Sequence, residues 1–273
     1  MEKIINCMGM DMEKRNADGA APVAQQLEQI KAISSMDELS AVTAKMHIET
    51  SSPFFGFYIG ADEKNSTMNL LQIYQGGISM GDRDYYLLDD ENSLKIRNAY
   101  KEYINKLFAL AGYSVEEAAA SADAVLAFET EIAEISVDRN ALRDVHKNYN
   151  KMSLNDFKKK YDFINWDIFF NEVGIRKSTE LNAGQIPFFE GMTKVMKKTS
   201  LETLKDYLAF KLLNAASNYL SDDFINANFE FYGKTIQGRE ELQPLWKRSL
   251  GVVNRSLAEA FGQMYVEKYF PAS

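Results

Sequence analysis

Two neighbouring stretches, residues 89–112 and 114–136, repeat apolar side chains at the spacing of an amphipathic helix. Gly112 stands where a helix C-cap is expected, and Ser114 precedes Glu117 by the spacing of a capping box. The apolar stripe consists of Ile96, Tyr100, Tyr103, Ile104, Leu107 and Ala111 in the first stretch, and of Val125, Phe128, Ile132 and Ile135 in the second. These signals predict two long consecutive helices, and a chain that contains them must bury two helical faces.

Most other segments also have helical periodicity. Residues 22–34 and a stretch from Ser200 each place apolar residues three or four positions apart. A further helix is predicted from Met36 or Asp37 to about His47. The C-terminal stretch 242–269 is predicted to be the longest helix, with Pro244 in its first turn. Its stripe consists of Trp246, Leu250, Val253, Leu257, Phe261 and Met264. Only 5 prolines and 15 glycines occur in 273 residues, which favours helices over a protein with many turns.

One region has the pattern of strands. The aromatic run "FFGFYIGA" (54–61) and the run "MNLLQIYQ" (68–75) flank the polar turn "DEKNST", and this pattern predicts a β-hairpin. Residues 140–200 are more broken and predict two or three short helices, with "AGQIPFF" as an extended piece. The predicted fold class is therefore mainly α: a single helical domain over residues 1–273 with a small antiparallel β-hairpin.

Charge and composition exclude several classes of protein. The net charge of −8 makes nucleic acid a poor partner. A single cysteine, Cys7, permits no internal disulfide. No apolar run approaches the ~18 residues of a membrane span, and the N-terminal "MEKIINCMGMDMEKR" contains no apolar core of a signal peptide. These features leave the compartment open between an exported (periplasmic or cell-surface) and a cytoplasmic location.

The residues that carry common catalytic chemistry are scarce. The two histidines, His47 and His146, do not form an H-E-x-x-H zinc motif. His47 begins an H-x-E string, but zinc deaminases also need a pair of cysteines. Cys7 has no histidine base assigned to it by any pattern, and no G-x-S-x-G is present. We therefore predict no catalytic, cofactor-binding or metal-binding residue in this chain, which alone should be inactive.

The segment "QIYQGGISMGDRDYYLL" (72–88) has three possible interpretations: a ligand-binding loop, a metal site or a tightly folded connector. No helix is predicted directly after the paired glycines, which weakens a phosphate-binding interpretation. The acidic residues lack the glycine and terminal glutamate of a calcium loop. As a connector, the segment would use glycines for unusual φ values, Asp82 or Asp84 to cap amides, Arg83 to clamp a carboxylate, and tyrosines to pack. The residues assigned this structural role are Gly76, Gly77, Asp82, Arg83, Asp84, Tyr85 and Tyr86.

Several long strings resemble one family of proteins. "NLLQIYQGGISMGDRDYYL" and "FEFYGKTIQGREELQPLWKRSLGVVNRSLAEAFGQMYVEKYFP" are similar to the N-terminal part of the neprilysin and endothelin-converting-enzyme peptidases. "SPFFGFYIGADEKNST" and "DRNALRDVHKNYNKMSLNDF" also resemble the family pattern. The resemblance extends from Cys7 to Pro271. Ser249 stands where animal members have a cysteine, which favours a bacterial, oligopeptidase-like relative.

The resemblance implies a role within a larger protein. Members of the family have two lobes around a chamber, and the zinc-binding H-E-x-x-H lies in a lobe after the position of Pro271. This chain would be the helical lobe that walls the chamber and limits peptide size, without the zinc-binding catalytic lobe. The parent would be a zinc metalloendopeptidase, and the partners would be its catalytic lobe and peptide substrates. The alternative is a stand-alone helical interaction module without protease activity.

Overall fold

The computed structural model describes residues 9–270, and within them the fold is mainly α-helical. Short 3₁₀ segments lie at Ala21–Val23 and Ser217–Tyr219, and a π-helical segment at Phe229–Ile236. The helices are α1 (Met12–Asp18), α2 (Ala24–Lys31), α3 (Met36–Glu49), α4 (Asp84–Leu87), α5 (Glu91–Leu110), α6 (Val115–Ile135), α7 (Arg139–Leu142), α8 (Leu154–Lys160), α9 (Trp166–Glu172), α10 (Ile186–Lys198), α11 (Leu201–Ala216), α12 (Asp222–Asn228), α13 (Leu245–Ser256) and α14 (Ala258–Tyr269). The predicted mainly helical class is confirmed.

The two long helices predicted from the sequence are α5 and α6, and they pack against each other and against α11. Asp90 caps α5 by accepting from two amides. The capping box between Ser114 and Glu117 is present at the start of α6. The apolar stripes predicted for both helices are largely buried. Local end signals and apolar spacing therefore account for this part of the core.

The predicted hairpin is one half of a larger sheet. Strands β1 (Phe55–Asp62) and β2 (Asn65–Gln75) pair antiparallel, as predicted. Two short strands, β3 (Lys151–Ser153) and β4 (Glu180–Ala183), extend the sheet, in the order β1-β2-β4-β3. Strand β4 runs parallel to β2 and antiparallel to β3. The sequence pattern missed both, because three or four residues are too short to establish an alternating pattern.

The extended piece predicted at "AGQIPFF" is wrong for most of its length. Strand β4 ends at Ala183, and helix α10 begins at Ile186 with Pro187 in its first turn. A proline at this position costs no hydrogen bond, because the first amides of a helix have no partner within the helix. Residues Phe188 and Phe189 are buried on this helix.

The chain divides into two compact units. Residues 23–216 form the larger unit, which contains the sheet and helices α2 to α11. The described parts of the smaller unit are residues 9–22 and 217–270. Within it, the Arg15 guanidinium donates to the carbonyls of Leu220 at 2.8 Å and Asn218 at 3.0 Å, which ties α1 to the segment before α12. The single helical lobe expected over residues 1–273 remains a prediction.

The C-terminal stretch differs from the prediction. Instead of one long helix, α13 and α14 are separated at Leu257, where φ is −133° and ψ is 35°. Val253, Asn254 and Ser256 precede this break, and residues of these types have low helix propensity. Of α13 only Ser249 and Val253 are buried, and α14 has no buried residue.

Cys7 lies outside the described residues. Across residues 9–270, no helix has the length and apolar character needed to cross a bilayer.

Candidate functional site

The predicted signature segment begins in the last residues of β2 and ends shortly before α5, and its paired glycines are placed where side chains do not fit. A Cβ added at Gly76 would lie 3.1 Å from the Cα of Phe55. Gly77 has φ of 98°, and a Cβ there would lie 3.1 Å from the side chain of Ile132 and 3.2 Å from the carbonyl oxygen of Phe54. The backbone therefore runs in close contact with β1 and α6, as a connector requires.

Tyr86 fixes the turn of the segment through hydrogen bonds of its hydroxyl group. Its buried hydroxyl accepts hydrogen bonds from the amides of Ser79 and Met80, both at 3.0 Å. The same hydroxyl donates to Glu129 Oε2 at 2.5 Å. Burial and the nearby Glu129 carboxylate raise the pKa of Tyr86 well above its usual value, so the hydroxyl keeps its proton. The tyrosine thus links the turn of its own segment to helix α6.

Glu129 is the centre of a buried polar cluster. Its side chain has no solvent exposure. It accepts from the hydroxyls of Tyr86 at 2.5 Å, Tyr100 at 2.6 Å and Ser79 at 2.7 Å, and from the Ser79 amide at 3.2 Å. All four contacts are donors, which match the acceptor-only character of a carboxylate. A buried charge is tolerated only when its hydrogen bonds are made, and here they are.

A buried lysine lies on the other side of Ser79. Lys211 Nζ donates to Ser79 Oγ at 3.1 Å and to the carbonyl of Gly77 at 3.3 Å. Burial lowers the pKa of Lys211, and the Glu129 carboxylate opposes that shift. The Tyr207 hydroxyl also donates to the Gly77 carbonyl, at 2.7 Å. Residues from α5, α6, α11 and the signature segment therefore share one polar network, which we call the Glu129 cluster (Ser79, Tyr86, Tyr100, Glu129, Tyr207 and Lys211).

The polar residues Asp82, Arg83 and Asp84 make contacts within their own turn and with residues near the end of α6. Asp82 accepts from the amide of Asp84 at 3.1 Å, as predicted for a capping residue, and pairs with Arg139 at 2.6 Å. Asp84 is exposed and Tyr85 half-buried. The prediction that Arg83 clamps a carboxylate is wrong: its guanidinium donates to the backbone carbonyl of Ser136, where α6 ends. A helix end leaves carbonyls without partners, and a guanidinium satisfies one of them.

The two histidines lie in different environments. The ring of His47 on α3 is surrounded by Phe55, Phe57 and Phe169, with centroids 4.9, 5.4 and 5.1 Å away. Burial lowers its pKa to about 4, and its Nε2 has no hydrogen-bond partner among the described residues. His146 is exposed after α7. Across residues 9–270, no three His, Cys, Asp or Glu side chains are arranged to hold a metal ion.

The signature residues divide into two groups by what they contact. One group contacts the core and consists of Gly76, Gly77 and Tyr86. The other group hydrogen-bonds within the turn or at the end of α6 and consists of Asp82, Arg83 and Asp84. Most of the Glu129 cluster was not singled out from the sequence. The available signal was a charged residue inside an apolar stripe: Glu129 lies between Val125 and Ile132, and Lys211 lies within the stripe of α11.

Comparisons with known proteins agree with this fold. A family profile described as Peptidase family M13 matches residues 7–273. Human endothelin-converting enzyme 1 is 31% identical over 239 residues, which cover 86% of this chain and 30% of that protein. An endothelin-converting enzyme homolog from Locusta migratoria is 28% identical and is matched over 79% of this chain and 31% of its own length.

Solved structures give the same result. The zinc metalloprotease Zmp1 of Mycobacterium tuberculosis in its open state superposes with a TM-score of 0.92 at 26% identity, over 98% of this chain and 42% of that one. PepO from Lactobacillus rhamnosis, at 18% identity and a TM-score of 0.80, supports the fold alone. The fold and the signature segment together are those of the N-terminal region of a metallopeptidase. The chain belongs to peptidase family M13, and it spans less than half the length of these relatives.

Proposed function

We propose that this chain is the helical lobe of a zinc metalloendopeptidase, and that it walls a chamber in which peptides are hydrolysed. The observation that carries the proposal is the match of residues 7–273 to family M13, together with the close superposition on the zinc metalloprotease Zmp1. In the parent, the zinc ion would polarise the scissile carbonyl and activate water. The described residues offer no ligand set for that ion, so no chemical step is assigned to them.

The contribution of this chain would be shape and rigidity. The Glu129 cluster joins the end of the hairpin to three helices through charged and hydroxyl groups that are buried, except at the half-buried Ser79. Buried polar networks that are fully hydrogen-bonded hold their members in one arrangement. A wall built on such a network keeps a fixed outline, as the exclusion of large substrates requires.

The C-terminal helices support attachment to a further part of the same protein. Met264, Tyr265, Val266, Tyr269 and Phe270 on and after α14 are each between 51% and 67% exposed. Apolar patches of this kind mark surfaces that another structure covers. Because more than half of the length of these relatives lies outside the matched region, we infer that the remaining part of the parent covers this face.

Opening and closing of the chamber is a further part of the proposal. Solved forms of Zmp1 are described as an open state and a partial open state. By analogy, the lobe formed by this chain would move relative to the catalytic lobe. Opening would admit peptide, and closing would exclude water and larger chains.

The coding sequence gives a direct first test. We expect the reading frame after Ser273 to continue into an H-E-x-x-H motif. A frame that ends without this motif would reject the proposal and favour the stand-alone interaction module.

The second test uses the full-length parent. Peptides of graded length that carry the same cleavable sequence are incubated with the enzyme, and kcat/KM is measured for each. We expect kcat/KM to fall steeply beyond a threshold length, while a chelator abolishes hydrolysis of all of them. Hydrolysis that is indifferent to substrate size, up to a folded protein with an exposed cleavable loop, would contradict the chamber.

A further inference from the structure

Strand β1 forms one edge of the sheet. In the order β1-β2-β4-β3 it pairs with β2 alone. The backbone groups on its other side are therefore not used by the sheet. An edge strand of this kind presents a row of donors and acceptors to which another extended chain can pair.

The register identifies the residues that face outward. The carbonyl of Ile73 accepts from the Gly184 amide at 2.8 Å, so the backbone groups of Ile73 face β4. Backbone groups alternate in direction along a strand, so those of Gln72 face β1, where Gln72 pairs with Tyr58. The N–H and C=O groups of Ile59 and Ala61 consequently point away from the sheet. Within residues 9–270, no hydrogen bond reaches these outward groups.

The open part of the edge is short and has defined ends. Phe55 is fully buried, and its ring contacts Trp166 and Phe169 at centroid distances of 5.0 and 5.1 Å. At the other end, a register shift between Ala61 and Asp62 interrupts the ladder. Between these ends, the side chain of Ile59 is 63% exposed. The accessible edge is thus centred on Ile59 and Ala61.

The side chains beside this edge are apolar on both faces of the sheet. On one face, the ring of Tyr58 lies over Gly60, where an added Cβ would be 2.9 Å from Tyr58 Cε2. The ring of Tyr74 is 6.0 Å from that of Tyr58 and extends the aromatic surface. On the other face stands Ile59. A strand added to β1 would place alternate side chains next to Tyr58 and next to Ile59, and β-branched or aromatic residues suit both positions.

The edge carries few of the protective features that natural edge strands have. Lysine, proline or inward-pointing charge usually discourages pairing with other chains. The run "FGFYIGA" from Phe55 to Ala61 contains none of these residues. The register shift beyond Ala61 limits the length of pairing but leaves the section before it open.

From these observations we propose that the outer edge of β1 binds an extended peptide, which adds to the sheet as a further strand through the backbone groups of Ile59 and Ala61. Its apolar side chains would contact Tyr58 and Ile59. The inference requires only this chain and stands whether or not the chain walls a protease chamber. A second copy of the chain fits less well. The open section spans a few residues, whereas stable dimers bury about 1,200–2,000 Å².

The test measures binding to the 273-residue chain by fluorescence anisotropy. The probe is a fluorescein-labelled short peptide of alternating valine and threonine. A copy with N-methyl groups on every second residue should bind with similar affinity, because one edge of the peptide remains unmodified. A copy that is methylated at every amide should not bind. Equal binding of the fully methylated copy, or no binding of the unmodified peptide, would overturn the proposal.

Variants of the chain locate the site. Ile59→Pro removes the outward N–H without touching the ladder between β1 and β2, and proline is tolerated on the open side of an edge strand. We expect affinity to fall about tenfold or more, as the loss of a backbone hydrogen bond implies. Ile59→Val keeps the donor and should bind within about twofold of the original chain.

Sedimentation measurements on the same samples identify competing occupants. A dimer that forms in the original chain and is lost in Ile59→Pro would assign the edge to a second copy and overturn the proposal. Circular dichroism checks that Ile59→Pro folds. If it does not, the comparison between the three peptides alone decides, because it leaves the protein unchanged.

Discussion

The signature segment and the C-terminal stretch both have strong sequence patterns, but they differ in burial: the first packs into the core, and the second is largely exposed. Residues 76–88 close on a buried polar cluster and contact β1 and α6 within van der Waals distance. Residues 245–270 form helices that bury only Ser249 and Val253. The first region uses charges and glycines inside a core. The second leaves apolar side chains in solvent.

This difference teaches what a sequence pattern specifies. A helical stripe determines that a helix has an apolar face, but not what covers that face. For α5 and α6 the cover is another part of the same chain. For α14, no residue of the described chain buries its face. The two regions should therefore respond differently to mutation, and four predictions, ordered from the largest expected effect to the smallest, test that contrast.

The largest effect is expected for Glu129→Ala. The substitution leaves the Tyr86, Tyr100 and Ser79 donors without their acceptor, and it removes the negative charge that favours the buried Lys211 cation. We expect a loss of about 3–5 kcal/mol in the free energy of unfolding, measured by urea denaturation of the 273-residue chain.

Glu131→Ala is the matched control for this prediction. Glu131 lies on the same helix and pairs with Lys198 at 3.0 Å, in a partly exposed position. We expect it to cost less than about 1 kcal/mol. Glu129→Leu combined with Lys211→Leu should cost less than the sum of the two single changes, because neither charge is then left alone. If Glu129→Ala and Glu131→Ala have equal effects, the cluster does not stabilise the core.

The second prediction concerns Gly77→Ala. A Cβ at this position meets Ile132 and the Phe54 carbonyl at 3.1–3.2 Å, and the backbone has φ of 98°. We expect a loss of about 2–3 kcal/mol from strain and overpacking together. Gly81→Ala separates the two causes, since Gly81 has φ of 84° and open space around it. It should cost about 1–2 kcal/mol, and a cost as large as that of Gly77→Ala would contradict a tight contact at Gly77.

Part of this architecture was accessible from sequence, and the reasons for the rest are physical. The capping box at Ser114 and the stripes of α5 and α6 are local signals, and the structure confirms them. Strand β4 was missed because four residues are too short to show an alternating pattern, and because its pairing partner, β2, is more than a hundred residues away in the chain. The hydrogen-bond donors to Glu129 likewise come from two other segments, the signature segment and α5, and a single sequence does not specify which donors meet which acceptor.

The third prediction uses pH. His47 has its pKa lowered to about 4 by burial, whereas in the unfolded chain it titrates near 6.5. The unfolded state therefore binds the proton more readily. The stability that the neutral ring maintains is complete above about pH 6.5 and is lost as the pH falls towards 4. We expect this single group to account for about 2–3 kcal/mol of that loss by pH 4.

Denaturation curves between pH 7 and pH 4 measure this effect. His47→Gln should flatten the dependence, since glutamine does not titrate, and His146→Gln, the same substitution at an exposed position, is the matched control. The carboxylates that also titrate at the acid end of the range are common to all three chains and cancel in the comparison. A slope that is the same in His47→Gln and in the original chain would show that the ring is not excluded from water.

The smallest effect in the isolated chain is expected for Val266→Lys on α14. Val266 is 53% exposed and α14 has no buried residue, so the free energy of unfolding should change by less than about 0.5 kcal/mol. Ala260→Lys, on the same helix and also exposed, adds the same charge on a different side of the helix and should behave alike. In the full-length parent the two should diverge. If the remaining part of the protein covers the side of α14 that carries Val266, Val266→Lys buries an ammonium group and lowers the melting temperature more than Ala260→Lys does. Equal melting temperatures of the two parents would mean that the face stays open, and the exposed stripe would then need another partner. A large destabilisation of the isolated chain by Val266→Lys would instead mean that this chain covers the face itself, which would remove the contrast between the two regions.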